Sequence, residues 1–547
     1  MADGAENRAG MGSGAASGGV RADGWLGRQP VATRKELHFG RVMTCFAERP
    51  ATLWEMLRDA MARAGDADAI VAEEARLSHA ELARQGAQVA AGLSAAGIGR
   101  GDRVAIQLIN RAAFVELWVA CLRLGAVLVP MNPRWTAREI AYSVNDCGAK
   151  AVFVEADLAD ALPDRGAIPS AEVVVSVGDA PLYADQDPEG APETPTGEEE
   201  TAVILYTSGT TGNPKGAMLT HLNLVHSVVH FQLGMEVRPG DRTLLSVPAS
   251  HVTGLVANIA ALLSVGGAII MQRAFKARAF LELAERERAT HSLMVPAMYN
   301  LCLRDPDIGS MDLSAWRLGG YGGAPMPPAT IEAMSKAVPT LALQQAYGST
   351  ETTSPATLMP VEETATKPWS VGIPVHCGEI AVMDDAGREL PPGETGEVWI
   401  AGPMVVPGYW ANPEATAKEF VSGYWKSGDL GRMDETGHLR ILDRKKDMIN
   451  RAGYKVYSVE VENVLARHPD VVEAAVTGYP CEVLGERVRA HVFLREGVGG
   501  EAALEALSAH ARAELADYKQ PDDWRLRDAP LPRNANGKVV KRDLRDG

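Results

Sequence analysis

Residues 206–216 read Tyr206-Thr207-Ser208-Gly209-Thr210-Thr211-Gly212-Asn213-Pro214-Lys215-Gly216, and how this run is read decides the architecture. An apolar, strand-like segment at 202–206 leads in, and the spacing predicts a helix from about His221. Glycines let backbone N–H groups turn toward an anion, the threonines and Ser208 add hydroxyl donors, and Lys215 supplies charge. Thr207, Ser208, Gly209, Thr210, Thr211, Gly212 and Lys215 can together wrap the β- and γ-phosphates of a nucleotide. The run is not a P-loop, because Lys215 is followed by Gly216 where that motif needs Ser or Thr. No Gly-x-Ser-x-Gly elbow occurs anywhere, which disfavours a serine hydrolase.

On either side of this loop, strands and helices alternate. Strands are expected at 69–71, 103–108, 127–130, 151–154, 173–177 and 202–206, with helices at 52–64, 78–96 and 112–124. Such alternation implies a parallel sheet covered on both faces. The stretch 178–200 carries four prolines and three consecutive glutamates, and reads as a surface loop. Alternation then runs to about residue 360, and 378–410 has a β-like texture with Gly/Pro turns. The last hundred residues form their own pattern, with helices at 458–467 and 502–515 and strands at 471–478 and 489–494. The fold class is therefore α/β: a large N-terminal domain with mixed or parallel sheets under helices, a β-rich subdomain, and a small α+β C-terminal domain. The expected boundaries are a flexible tail over 1–24, the large domain over 25–442, a connection at 443–446 and the small domain over 447–547.

The chain has 547 residues, with 54 Lys and Arg against 70 Asp and Glu, a net charge of −16. That balance repels polyphosphate chains, so neither nucleic acid nor a polybasic membrane anchor is an expected partner. Residues 243–272 contain no Asp, Glu, Lys or Arg, but Asn258, Ser264, Gly266 and Gly267 interrupt them. They divide into a buried helix at 254–265 and a buried strand at 268–272, not a membrane span. Six scattered cysteines show no metal-ligand spacing and read as core thiols in a reducing compartment. With no apolar leader segment, a cytoplasmic location is expected.

From residue 50 or so to the C-terminus, an ordered series of motifs resembles the adenylate-forming superfamily of acyl-CoA synthetases, peptide-synthetase adenylation domains and luciferases. Tyr347-Gly348-Ser349-Thr350-Glu351 is similar to the segment in which the aromatic ring packs on adenine, the threonine reaches phosphate and the glutamate holds Mg²⁺. Gly322-Gly323-Ala324-Pro325 resembles the segment lining adenine and the substrate. Asp429, in Trp425-Lys426-Ser427-Gly428-Asp429, matches the carboxylate that accepts the ribose hydroxyls, and Arg444 the second ribose contact. Lys446 occupies the hinge position about which the small domain of relatives swings between two working poses. Gly453 matches the loop bordering the pantetheine tunnel, although Ala452 stands where relatives often have glycine, and Ser458 where they have proline. Lys538, in Asn536-Gly537-Lys538, resembles the lysine that bridges carboxylate and α-phosphate.

The resemblance implies an AMP-forming carboxylate–CoA ligase that uses ATP, Mg²⁺ and coenzyme A, with Lys538, His251, Thr207 and Glu351 in the chemistry and Glu351 on the metal. His251, Thr253, Met298, Gly320 and Gly322 are expected to line the acyl pocket. No aspartate occurs in Pro248-Ala249-Ser250-His251-Val252-Thr253-Gly254, which disfavours an amino acid, and the wall types at 295–299 and 320–322 suit a fatty or aryl carboxylic acid. Loading of a carrier protein is the alternative, and a homodimer is an open possibility of assembly.

Overall fold

The computed structural model describes residues 31–207, 213–324, 326–533 and 538–545. The tail expected over 1–24 lies outside these, as do Ser208, Gly209, Thr210, Thr211, Gly212, Pro325 and residues 534–537.

Helix starts follow local chemistry. Thr52 caps the helix Leu53–Ala64, and Ser78 with Glu81 closes a capping box on His79–Ala95. Thr136 with Glu139 does the same for Ala137–Cys147, and Thr220 with Asn223 for His221–Gly234. Each cap satisfies a backbone N–H that the first helical turn leaves unpaired.

Two sheets build the large body. One has six strands, in the order Lys215–Thr220, Thr201–Thr207, Val127–Pro130, Arg103–Gln107, Ala151–Glu155 and Val173–Val177. All its pairs are parallel except the first, in which Lys215 faces Thr207 across an antiparallel ladder. The strand Lys215–Thr220 is a correction, because a direct passage from loop to helix was expected. The second sheet has nine strands, and its inner six, from Asp68–Val71 to Ala342–Tyr347, run parallel. The helix Ala112–Leu124 is buried on every face, with only Arg123 reaching solvent. It packs on the helices Leu53–Ala64 and His79–Ala95, as a helix apolar on nearly every face must.

Residues 178–200 are more firmly anchored than a surface loop requires. The buried Arg111 pairs with Glu155, bonds Gly178 O at 2.6 Å and reaches Asp179 at 3.1 Å. The expected helix at 254–265 is instead a π-helix, Thr253–Ala260, followed by one α-helical turn, Ala261–Leu263. A Cβ at Gly254 would stand 2.2 Å from Pro248 O, so only glycine admits this wide first turn against the preceding loop. The strand Ala268–Met271 follows, and no described helix is long and apolar enough to cross a membrane. Of the six free thiols, Cys377 and Cys481 are only half-buried.

A five-stranded sheet, antiparallel throughout, includes Tyr424–Met433 and its partner Leu439–Arg444. Beyond it, Ile449, Val456, Val461, Leu465, Val476, Val488 and Leu507 join a separate hydrophobic core, distinct from that of the large body. Its sheet begins with a hairpin in which Arg451 faces Tyr454, leaving Ala452 and Gly453 as a two-residue loop. Both loop residues have positive φ, +53° and +89°, as a type I′ turn demands. Alanine is strained there, and it is exposed. Ala452→Asn is expected to stabilise this hairpin by about 0.5–1 kcal/mol, because asparagine tolerates the left-handed region at no added backbone entropy. Slower amide exchange at Arg451 and Tyr454 would register the gain, and unchanged exchange would refute it.

Candidate active site

The second sheet organises the site. Four of its parallel strands are followed at their C-terminal ends by segments singled out in the sequence. Pro248 to Gly254 follow Arg242–Leu245, and Met298 lies in the helix after His291–Met294. Gly323 and Ala324 follow Leu318–Gly322, and Gly348 to Glu351 follow Ala342–Tyr347. Ligands of open α/β sheets bind outside the carboxyl ends of the strands, so topology alone gathers these residues. Thr207 ends its strand in the first sheet, and its hydroxyl donates to Lys215 O at 3.4 Å.

The strand Leu318–Gly322 is closely embraced. A Cβ at Gly322 would meet Ala346 O at 2.5 Å, and one at Gly320 would meet Met235 and Leu293 side chains at 2.9 and 3.0 Å. Gly323 has φ +77°, in the left-handed region. Met298 is buried beside these strands, whereas Gly323 and Ala324 are exposed.

Asp429 and Arg444 face each other across paired strands. Arg444 Nε lies 2.7 Å from Asp429 Oδ1, and the Tyr347 hydroxyl donates to Asp429 Oδ2 at 2.6 Å. Each carboxylate oxygen thus uses one lone pair within the protein and keeps another for an incoming hydroxyl. Asp429 raises the guanidinium pKa of Arg444, and burial together with that carboxylate raises the phenol of Tyr347 far above its ordinary value.

Glu351 is buried within the short 3-10 turn Thr350–Thr352. Ser349 Oγ donates to its Oε2, and the Tyr409 hydroxyl lies 3.0 Å from its Oε1. Thr353 and Ser354, immediately after, have φ of +49° and +35°. Left-handed backbone at a β-branched residue is costly and is held only by its surroundings.

Lys215 and Tyr409 meet because Ala217 and Tyr409 form an isolated bridge, with Trp410 N–H donating to Gly216 O at 2.7 Å. Lys215 Nζ stands 4.4 Å from the centroid of the Tyr409 ring and 2.5 Å from Glu419 Oε1. The Tyr409 hydroxyl also reaches Glu419 Oε2 at 2.6 Å. Neither Tyr409 nor Glu419 carried any sequence signal. The Gly-rich run marked Lys215, but nothing local marks a partner two hundred residues away.

Lys538 comes to this cluster from the far end of the chain. It keeps accessible surface, yet protein crowds around it, and burial holds its ammonium below the usual range. Arg444 pushes in the same direction, while Asp429 and Glu351 oppose it. Lys538 in turn helps depress His251, whose imidazole burial lowers to about 4. His251 is therefore neutral at pH 7, and its Nδ1 accepts the Thr253 N–H at 3.2 Å, which leaves the proton on Nε2. Lys538, His251, Glu351, Asp429 and Arg444 thus share one electrostatic neighbourhood.

Lys446 is exposed in a turn where Met448 N–H bonds Arg444 O at 3.1 Å, and its own carbonyl accepts from Arg545 at 3.1 Å. Gly453 makes the contacts of its own hairpin, donating to Asn450 Oδ1 at 3.0 Å. Just before the turn, the buried Asp443 carboxylate bonds Ser458 Oγ at 3.0 Å and also accepts the Ser458 N–H. Lys541 Nζ bonds Ser458 Oγ and Glu462 Oε1, each at 2.6 Å. This second network was also invisible in the sequence, where Ser458 stood out only for what it replaces.

Comparisons with known proteins identify the family. The family model described as "AMP-binding enzyme" matches residues 57–410, and "AMP-binding enzyme C-terminal domain" matches 460–538. A feruloyl-CoA synthase of Amycolatopsis sp is 36% identical over 472 residues, covering 86% of this chain and 93% of that protein. A fatty acid–[acyl-carrier-protein] ligase of Streptomyces coeruleorubidus is 35% identical, covering 87% and 93%. The o-succinylbenzoate CoA synthetase of Bacillus subtilis, solved with its acyl-adenylate intermediate, superposes with a TM-score of 0.82 at 29% identity, covering 91% of this chain and 98% of that one. The chain accordingly belongs to the AMP-binding enzyme family and is an adenylate-forming acid–thiol ligase of the acyl-CoA synthetase kind.

Proposed function

We propose that this enzyme activates a hydrophobic carboxylic acid, fatty or aryl, with ATP and transfers the acyl group to coenzyme A. The observation that carries this reading is the convergence of Lys538 with His251, Glu351, Asp429 and Arg444. A carboxylate oxygen attacks the α-phosphate, pyrophosphate leaves, and an acyl-adenylate forms. The thiol of coenzyme A then attacks the acyl carbon, loses its proton, and expels AMP to give the thioester. Dividing a difficult substitution into two easier ones is the logic of covalent activation.

Each residue has a role in this scheme. The Lys538 ammonium sits between the incoming carboxylate and the α-phosphate, where negative charge accumulates. Asp429 and Arg444 hold the ribose, with Tyr347 fixing the carboxylate and lending its ring to the adenine. Thr207 and Lys215 hold the polyphosphate, together with Ser208 to Gly212 and Thr350, while the Gly323-Ala324-Pro325 segment lines the adenine and the substrate. Neutral His251 borders the carboxylate with its Nε2–H and does not compete for the cation. Lys446 is the hinge, and Gly453 belongs to the thiol route.

The residues fit Mg²⁺. The phenol of Tyr409 has one proton and two carboxylate neighbours, and Glu419 is the nearer at 2.6 Å. Oxygen Oε1 of Glu351 is then left facing a lone pair, which suits a hard cation. Bound there, Mg²⁺ would neutralise phosphate charge during displacement.

Met298, Gly320 and Gly322 would supply apolar wall to the acyl site, and the 248–254 segment holds no carboxylate for an amino group. The relatives named for ferulate and for fatty acids support that substrate class. The deciding experiment is a panel of aliphatic, aryl and amino acids assayed for pyrophosphate release, with coenzyme A or a carrier protein as acceptor. Release is expected with apolar acids and thioester with coenzyme A. Preference for amino acids, or thioester only on the carrier, would overturn the reading.

A further inference from the structure

We propose that Glu419 competes with pyrophosphate for Lys215, and thereby limits how tightly the enzyme holds its first product. This rests on the reading of Lys215 as a phosphate ligand. The ammonium of Lys215 is paired with Glu419 at 2.5 Å and lies over the Tyr409 ring. Both side chains are about three-quarters buried, so solvent screens the pair only in part. Any phosphate that takes Lys215 must draw it from this carboxylate or share it.

Tyr409 makes the competition reversible. Its hydroxyl donates to Glu419 Oε2, while Oε1 faces the lysine, so the carboxylate keeps its position and one charged hydrogen bond when the ammonium departs. The phenol ring also offers the ammonium a fixed resting face. When the product's charge leaves, Lys215 has a prepared partner to return to. Glu419 is therefore a positioning residue, acting on phosphate through Lys215. The device costs ground-state affinity for nucleotide and limits trapping by product. Glu419 sits at the end of the helix Pro413–Glu419, and the Tyr409 hydroxyl stands between it and Glu351.

The test is calorimetric titration of the full chain with MgATP and with magnesium pyrophosphate, together with product-inhibition kinetics. Glu419→Gln keeps the shape and the Tyr409 hydrogen bond but frees the ammonium. Its dissociation constant for pyrophosphate is expected to fall roughly five-fold, with inhibition by pyrophosphate tightening in step. Lys215→Ala should weaken binding, and in that background the gain from Glu419→Gln should shrink by at least half. A merely structural role would move stability but not this coupling. An unchanged or weaker pyrophosphate affinity in Glu419→Gln, or an equal gain in both backgrounds, would overturn the role of Glu419 alone. A parent enzyme that binds neither MgATP nor pyrophosphate would overturn the phosphate-site reading and this inference with it.

Discussion

Lys538→Ala is expected to lower acid-dependent pyrophosphate release by roughly 10²–10³-fold, the cost of removing one preorganised charge from a site of developing negative charge. The loss should fall on kcat, with the KM for MgATP little changed, because Asp429, Arg444 and Lys215 still hold the nucleotide. When the variant is given preformed acyl-adenylate and coenzyme A, thioester should form at the parent rate. That split separates an electrostatic role from general damage, since a misfolded small domain would slow both halves. Pyrophosphate release at the parent rate would remove Lys538 from the chemistry. Equal losses in both half-reactions would make it structural.

The neighbours of Lys538 explain why its substitution acts so selectively. Burial and Arg444 push its proton off, while Asp429 and Glu351 hold it on. Alanine removes the positive charge but leaves both carboxylates with other partners: Asp429 with Arg444 and Tyr347, Glu351 with Ser349. Both carboxylates keep a hydrogen bond within the protein, so the expected effect is kinetic and not a loss of fold.

What could be read from the sequence divides along physical lines. Segments whose chemistry is local were legible. The helix expected over 78–96 begins where expected, with Ser78 and Glu81 closing its capping box, whereas the role of Tyr347 to Glu351 came from the ordered resemblance and not from the segment alone. The parallel sheet was legible because its buried strands are apolar and its helices periodic. Groups assembled by tertiary pairing were not. The strand Lys215–Thr220 hides behind a loop signal because it earns its hydrogen bonds from Thr201–Thr207, not from its own pattern. Tyr409 and Glu419 reach Lys215 only through the Ala217–Tyr409 bridge. The π-winding at Thr253–Ala260 depends on Pro248 O crowding Gly254, a contact no helical periodicity encodes.

Lys541→Met is the substitution expected to cost most in stability. Its ammonium lies 2.6 Å from Glu462 and from Ser458 Oγ, and Ser458 in turn binds Asp443. Two largely buried carboxylates thus depend on one cation, and both have pKa values raised by burial, a rise that Lys541 holds in check. Removing the cation should cost about 3 kcal/mol, since a buried charge left unpaired is far worse than no pair at all. The pH dependence follows from the direction of those shifts. A carboxyl whose folded pKa is raised contributes stability that is fully present below its unfolded pKa and is lost as pH rises through the folded value. The variant raises both pKa values further. Its deficit should therefore be greatest at neutral pH and shrink as acid protonates Asp443 and Glu462. Amide exchange in the paired strands Val471–Cys481 and Gly485–Leu494 of the intact chain measures this directly. Protection there should fall roughly 10²-fold at pH 7 and by much less near pH 4.5. A deficit independent of pH would mean that Lys541 acts by packing its aliphatic stem, and that Asp443 and Glu462 find their compensation elsewhere.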